Sequence, residues 1–384
     1  MVPMKKIFSL EIVSSLSELE AKQKEWNALI DTIPFYLPTM TFEWHYLWLK
    51  ANSNLISKMT FMFFYDINKR LVAILPLFKT QTKFFLSALN VFTFSGGRDQ
   101  IKIGIICKIE HRLSILKQVI EYFYDELHGW DILALRRISA RKADDVDLER
   151  VLSSKSIPYS IESILRVPFI VIQDEQDWES YWKSRKKHFR HEIKRKTKKL
   201  STLGKIDYQV YESPISEQNL QQFLNLENSG WKGRNKSSIL HRPHLLRMYQ
   251  LLSELNTKRL KLLNFNLFLN DQLISSSLSL KTPHGLYVFK IAYDESFNKF
   301  SPGILLRLNE VKYCFENRLL IYDFSGKEQK WMHAFTNRKN YVMDFIIYRK
   351  TLASLARYLG FIKFKPLAKR LHLTESVLKN FIEE

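Results

Sequence analysis

Both halves of this chain repeat one pattern that leaves few folds open: apolar runs doubled back by short polar turns, then one amphipathic helix, then a closing strand. In the second half, LKLLNFNLFL (260–269) is turned by Asn270 and Asp271 into QLISSSLSLK (272–281). TPHG (282–285) turns that run into LYVFKIAYD (286–294). A helix is predicted from Ser301 to Asn317, and RLLIYDFSG (318–326) reads as the last strand. In the first half KMTFMFFYD (58–66), LVAILPLFK (71–79) and FFLSALNVFTFSGG (84–97) form the strands, RLSILKQVIEYFYDELHG (112–129) the helix, and WDILALRRIS (130–139) the closing strand. The repetition predicts an α/β (α+β) protein of two duplicated domains, each a mainly antiparallel sheet flanked by helices. The expected division is 1–165, 166–348 and a helical tail at 349–384, with the tail docked on the second domain.

Charge narrows the partners. The chain has 59 Lys and Arg against 39 Asp and Glu, a formal net charge of +20 that favours anionic ligands or surfaces. Much of it lies in DWESYWKSRKKHFRHEIKRKTKKLSTLG (177–204), where Trp178, Trp182, Phe189, Ile193 and Leu200 form one helical stripe. Ten Lys or Arg and one Glu fall between Lys183 and Lys199. That helix reads as a solvated face, as a contact for an anionic membrane or lipid-linked acceptor, or as a nucleic-acid contact. Its aromatic residues lie on the apolar stripe, which disfavours stacking on bases.

Cys107 and Cys314 sit in apolar runs and read as buried thiols of a reducing compartment. The apolar run after Lys5 and Lys6 is interrupted by Glu11, unlike a signal peptide, and no stretch approaches the ~20 apolar residues of a membrane helix. A cytoplasmic protein is expected. His241 and His244 lack a nearby acidic or Cys partner, so no metal is expected, and neither G-x-S-x-G nor a P-loop is present.

The stretch FKIAYDESFNKFSPGILL (289–306) joins a strand end to a helix start. Ser301 is a candidate N-cap, Pro302 suits the first turn, and Gly303 has no side chain to keep a ligand from the backbone. Such a start offers free N–H groups to a phosphate, though Ser-Pro-Gly is also an ordinary way to begin a helix.

This stretch, with LENSGWKGR (226–234), YDFSGKEQKW (322–331), TFEWHYLWLK (41–50) and LVAILPL (71–77), resembles the CelD-type acetyltransferase family across most of the chain, from about residue 20 to about residue 345. The Tyr-Asp to Ser-Pro-Gly block is its most specific part. The resemblance implies tandem GNAT-like domains, a fold shared with the Fem-type aminoacyltransferases. It also implies transfer of an acyl group, acetyl foremost, from acyl-CoA to an amine or hydroxyl, with no metal. GGRDQIKIGIICKIEHR (96–112) stands where the first half would carry Ser-Pro-Gly, so the second copy is expected to hold the donor.

On this resemblance Ser301, Pro302 and Gly303 hold the pyrophosphate, with Lys299 or Arg307 adding charge, and backbone N–H groups from Ile291 to Tyr293 hold an oxyanion. Asp294 is a general base or a loop cap. Glu227 is catalytic, orients the acceptor, or makes an ion pair. Tyr322 and Asp323 are an acid and a base or a structural pair. Trp231, Lys330 and Trp331 line the acceptor pocket, Trp331 alternatively belonging to the core. The acceptor is a small molecule, a lipid-linked group or a saccharide, as in polysaccharide or cell-envelope metabolism. An acyl carrier protein is an alternative donor and an anionic membrane a further partner. A Fem-type transferase fed by aminoacyl-tRNA, or a non-catalytic basic module on membrane or nucleic acid, are the competing readings.

Overall fold

The structure, a computed structural model, describes residues 7–84, 87–95, 102–140, 147–172 and 177–360. Gly96, Gly97 and the tail beyond residue 360 lie outside these residues. The strands along the chain are β1 (Ser9–Val13), β2 (Met59–Tyr65), β3 (Leu71–Phe84), β4 (Ser87–Phe94), β5 (Ile106–Cys107), β6 (Ile132–Ala140), β7 (Tyr159–Val171), β8 (Ile206–Glu212), β9 (Lys261–Leu269), β10 (Gln272–Thr282), β11 (Gly285–Tyr293), β12 (Ile321–Asp323) and β13 (Lys339–Tyr348).

They belong to two compact units. One comprises Met1–Pro34, Asn54–Leu165 and Tyr341–Glu384, the other Phe35–Ser53 and Arg166–Asn340. Neither is one continuous stretch, which is where the units differ from a division at 1–165 and 166–348. Phe35–Ser53 goes with the second unit for a packing reason: Trp44, in the helix Phe42–Ala51, lies 5.3 Å from Phe289 of β11, and Tyr36 Oη donates to the Arg259 carbonyl at 3.2 Å. The described part of the tail, helical over 352–360, goes with the first unit rather than the second: Ser354 Oγ donates to the Asp131 carbonyl at 3.0 Å.

In the first unit the strand order is β1-β2-β3-β4-β6-β13, antiparallel except for β4 and β6, with β5 added to β3. Alternate residues such as Phe64, Leu133, Leu135 and Phe345 turn to a core that includes Ile115, Val119 and Phe123. In the second unit the order is β7-β12-β11-β10-β9-β8, antiparallel except for β11 and β12. Both units therefore realise the repeated pattern alike. The meander's last strand and the strand after the helix become parallel neighbours, across the helix Ile109–Glu121 in one and Pro302–Glu316 in the other.

The helix Pro302–Glu316 buries Leu305, Leu306, Leu308, Val311 and Cys314 in a core with Phe265, Leu267, Leu286 and Val288. Each such side chain contributes about 1.5–3 kcal/mol relative to exposure. The basic segment is two helices, Trp178–Ser184 and Lys187–Ser201, rather than one. Arg185 leaves the helical path at the break, its guanidinium donating to the Phe335 carbonyl and stacking on the Tyr181 ring at 4.6 Å. The stripe survives the break: Ile193 and Leu200 are buried in the second core, and Trp178, Trp182 and Phe189 pack against it.

Candidate active site of the second unit

β12 is much shorter than its sequence run, and this shapes the site. It pairs with β11 only through Gly285–Ile321, Leu286–Tyr322 and Tyr287–Asp323. From Val288 to Tyr293, β11 has no β12 partner. A bulge beside Leu278 and Ser279 of β10 further offsets β11 at Phe289. The Asp294 N–H points at β10, donating to the Ile274 carbonyl at 2.9 Å. Backbone groups alternate along a strand, so those of Ile291 and Tyr293 point the other way, into the gap. Ile291 is 46% exposed. The two N–H groups lie two residues apart, about 6.6 Å along the strand, so either one, but not both together, can donate to a developing oxyanion.

Downstream, Asp294 caps a 3-10 turn over Glu295–Phe300. Its Oδ1 accepts from the Ser296 N–H at 2.9 Å and hydroxyl at 2.7 Å, and its Oδ2 from Gln272 at 3.1 Å. Both oxygens are thus engaged in holding the loop. Glu295 ties the loop to the short helix Trp231–Arg234, accepting from the Trp231 N–H at 3.0 Å and from Arg234 at 2.8 Å; these bonds hold the Glu295 carboxyl below its usual range. The Trp231 ring itself is exposed.

Ser301 begins the next helix differently from the expected N-cap. It adopts a left-handed conformation (φ 54°), and its hydroxyl does not cap. Its carbonyl instead takes the N–H groups of Ile304 and Leu305 at 2.9 and 3.2 Å. Pro302 has no N–H, so Gly303 carries the first free donor of the helix. A Cβ on Gly303 would meet the Tyr293 ring at 3.7 Å, an ordinary contact, so Tyr293 lies beside the helix start. The Ser301 hydroxyl accepts from Lys196 Nζ at 2.8 Å, and Lys196 also pairs with Glu192 at 2.8 Å. The basic helix thereby brings one ammonium to the start of Pro302–Glu316. Lys196 is a residue the sequence reading missed, because spacing alone places it among several indistinguishable cations. Lys299 turns away, over the Phe300 ring at 5.0 Å.

Arg307 does not join this group. It is buried and pairs with Glu310 at 2.6 Å. Glu310 also accepts from the Ser277 hydroxyl and from Tyr322 Oη at 2.6 Å. Burial pushes the Glu310 carboxyl up, opposed by the Arg307 charge and these hydrogen bonds, and burial likewise lifts the Tyr322 phenol well above its ordinary value. Arg307 and Tyr322 thus form a polar cluster inside the core rather than a phosphate clamp and an exposed acid. Asp323 is buried too, its Oδ1 accepting from the Ser325 N–H at 2.7 Å.

Glu227 is buried in an ion pair with Lys232 at 3.1 Å and accepts from the Ile239 N–H at 2.9 Å. Lys232 in turn donates to the Ile291 carbonyl at 3.0 Å, so Glu227 acts on the gap through Lys232. Lys330 is exposed, while Trp331, partly buried, packs against the core on Phe324 and Phe335, with centroids 5.7 and 5.9 Å away. His241 Nδ1 bonds the Ser238 hydroxyl at 2.8 Å, and no group suited to a metal occurs among the described residues. No described helix is long and apolar enough to cross a membrane.

The model of the acetyltransferase (GNAT) domain matches residues 187–332, the segment that contains Lys196, β11, the helix start and β12. The crystal structure of FemX superposes with a TM-score of 0.57 at 12% identity, covering 85% of this chain and 96% of that one. A conserved protein of unknown function from Bacteroides thetaiotaomicron gives a TM-score of 0.51 at 12% identity, over 89% of this chain and 100% of that one. At such identities the likeness is one of fold. No curated protein matches the chain. The chain has a tandem GNAT-like fold, and residues 187–332 of its second unit match the acetyltransferase (GNAT) domain model.

Proposed function

We propose that the second unit is a CelD-type acyltransferase that moves an acyl group, acetyl foremost, from acyl-CoA to the amine or hydroxyl of a small-molecule, lipid-linked or saccharide acceptor. One conjunction supports this reading: a β11 edge open from Val288 to Tyr293, followed one short loop later by a helix start that has a free Gly303 N–H and the Lys196 ammonium beside it. The helix start and Lys196 would bind the donor pyrophosphate. The thioester would then lie along the open edge, where the N–H of Ile291 or that of Tyr293 stabilises the oxyanion as the acceptor attacks the carbonyl. The acceptor–carbonyl bond forms, the C–S bond breaks, and the CoA thiolate leaves. Asp294 and Glu227 are engaged in structural bonds, so we assign them to positioning: Asp294 holds the loop, and Glu227 orients Lys232 against the Ile291 carbonyl. In this reading the acceptor amine attacks as the free base and its proton passes to water. The cytoplasm, where acyl-CoA is made, suits two buried thiols.

The exposed cationic face of Lys187–Ser201 favours a second reading, in which the donor is aminoacyl-tRNA and that face binds phosphates. Calorimetric titration of acetyl-CoA into the protein and into Gly303→Trp separates them. Binding by the wild type that is lost in the variant supports the acyl-CoA site; no binding by the wild type eliminates acetyl-CoA as donor.

A further inference from the structure

The open edge of β11 gives an oxyanion one backbone donor, and a side chain from another element stands beside it. Along that edge the backbone groups alternate: the Ile291 N–H, the Ile291 carbonyl, then the Tyr293 N–H. The carbonyl is already occupied. Lys232 Nζ donates to it at 3.0 Å, in the place a β12 N–H would fill if that strand ran on beyond Asp323. The ammonium therefore sits between the two N–H groups, next to whichever of them receives the oxygen.

Its position is fixed at both ends. The short helix Trp231–Arg234 is tied to the loop after β11 through Glu295. The Lys232 carbonyl accepts from the Ser237 N–H at 2.8 Å and from the Ser237 hydroxyl at 3.2 Å. At the tip, Nζ meets Glu227 Oε1 at 3.1 Å, and Glu227 Oε2 is itself held by the Ile239 N–H at 2.9 Å. The ion pair is lopsided. The Glu227 side chain is 2% exposed and that of Lys232 is 21% exposed, so the positive end is the one turned to the open edge. An ammonium has three N–H groups, of which Glu227 and the Ile291 carbonyl engage two. The third has no partner among the described residues.

We propose that Lys232 is a catalytic residue of the acyl transfer, giving its third N–H to the thioester oxygen as the tetrahedral intermediate forms. This role rests on the acyl-CoA reading of the second unit. As the acceptor–carbonyl bond forms, the π pair of the carbonyl moves onto its oxygen, which then lies against one backbone N–H and the ammonium. When that pair returns, the C–S bond breaks and the thiolate leaves. Lys232 keeps its proton throughout and acts by hydrogen bond and charge. A donor fixed in advance stabilises the oxyanion without reorganising, and one such donor contributes about 10²–10³-fold to a rate.

Infrared difference spectra of the full chain bound to acetyl-CoA, labelled with carbon-13 at the thioester carbonyl, test the assignment, because a donor on a carbonyl oxygen lowers its stretching frequency. In the wild type the band should lie below that of free acetyl-CoA. Lys232→Met should move it back by more than half of that difference, while affinity by calorimetry changes less than about threefold, since the phosphate end of the donor is held elsewhere. Lys232→Gln, whose amide can still bond Glu227, removes the charge and should move the band the same way; it decides the matter if Lys232→Met does not fold. A bridging role alone would alter the melting temperature and leave the band in place. The proposal is overturned if a folded variant keeps the wild-type band, or if the bound wild type shows no lowering. A wild type that does not bind acetyl-CoA removes the acyl-CoA reading and this role with it, whereas binding without the band shift removes the role of Lys232 alone.

Discussion

Arg307→Met is the sharpest test of the buried cluster under β10 and β12. The substitution keeps an unbranched stem in the core but removes the cation 2.6 Å from a fully buried carboxylate. Breaking a buried pair from one side costs about 3–5 kcal/mol, because the remaining charge has no compensation. The cost depends on pH in a definite direction. Burial already raises the Glu310 carboxyl in the wild type, with Arg307 the foremost opposing influence, so the variant raises it further. A carboxyl with a raised folded pKa gives full stability below its unfolded value and loses it as pH rises through the folded one. The loss in the variant should therefore be smaller at pH 5 than at pH 8, growing as pH rises by up to about 1.4 kcal/mol per unit toward the about 3–5 kcal/mol of a buried pair broken from one side. Urea unfolding at both pH values, followed by tryptophan fluorescence, measures this. An equal loss at pH 5 and pH 8, or less than about 1 kcal/mol at pH 8, would refute the reasoning.

Two further outcomes follow from the same structure. Lys196→Ala should weaken acetyl-CoA binding about tenfold and flatten its salt dependence, read by calorimetry at low and high salt, with the melting temperature measured alongside because the side chain is only 18% exposed. His45 is fully buried, and burial pushes its pKa down to about 3 against the bond to the Thr39 carbonyl at 2.9 Å. A depressed folded pKa means stability held above the unfolded value and lost as pH falls, here by about 1.4 kcal/mol per unit from about pH 6.5 toward pH 3. His45→Gln should lower stability at pH 7 yet make the acid limb shallower, measured as melting temperature against pH.

Strand order was readable where turns were marked by their residues. Asn270 with Asp271 and Thr282 to Gly285 bound β10 cleanly, and the observed limits fall within a residue or two of the sequence run. RLLIYDFSG also reads as a strand, yet only Ile321–Asp323 pairs. Arg318 and Ser325, both at positive φ, close its two ends, and neither residue type announces that conformation. The helix break at Arg185 was equally hidden, since no Gly or Pro marks it and the cause is a distant carbonyl, that of Phe335. Among site residues, Ser301 to Gly303 were visible as a helix start. Arg307 and Tyr322 were visible only as polar residues near it, because facing inward toward Glu310 is a tertiary fact.

The bulge at Phe289 also has a bearing on how this chain tolerates change. Counting by twos, Leu286 and Val288 face the core below the helix Pro302–Glu316, and Tyr293 would be assigned to the other face. Yet its ring lies beside Gly303 of that same helix. One surplus residue has reversed the parity of everything after it. Lengthening or shortening β11 by a single residue beyond Phe289 would therefore re-address Ile291 and Tyr293 together, whereas substitutions there leave the addressing intact. Sequences that share this site are expected to vary in letters along that strand far more readily than in length.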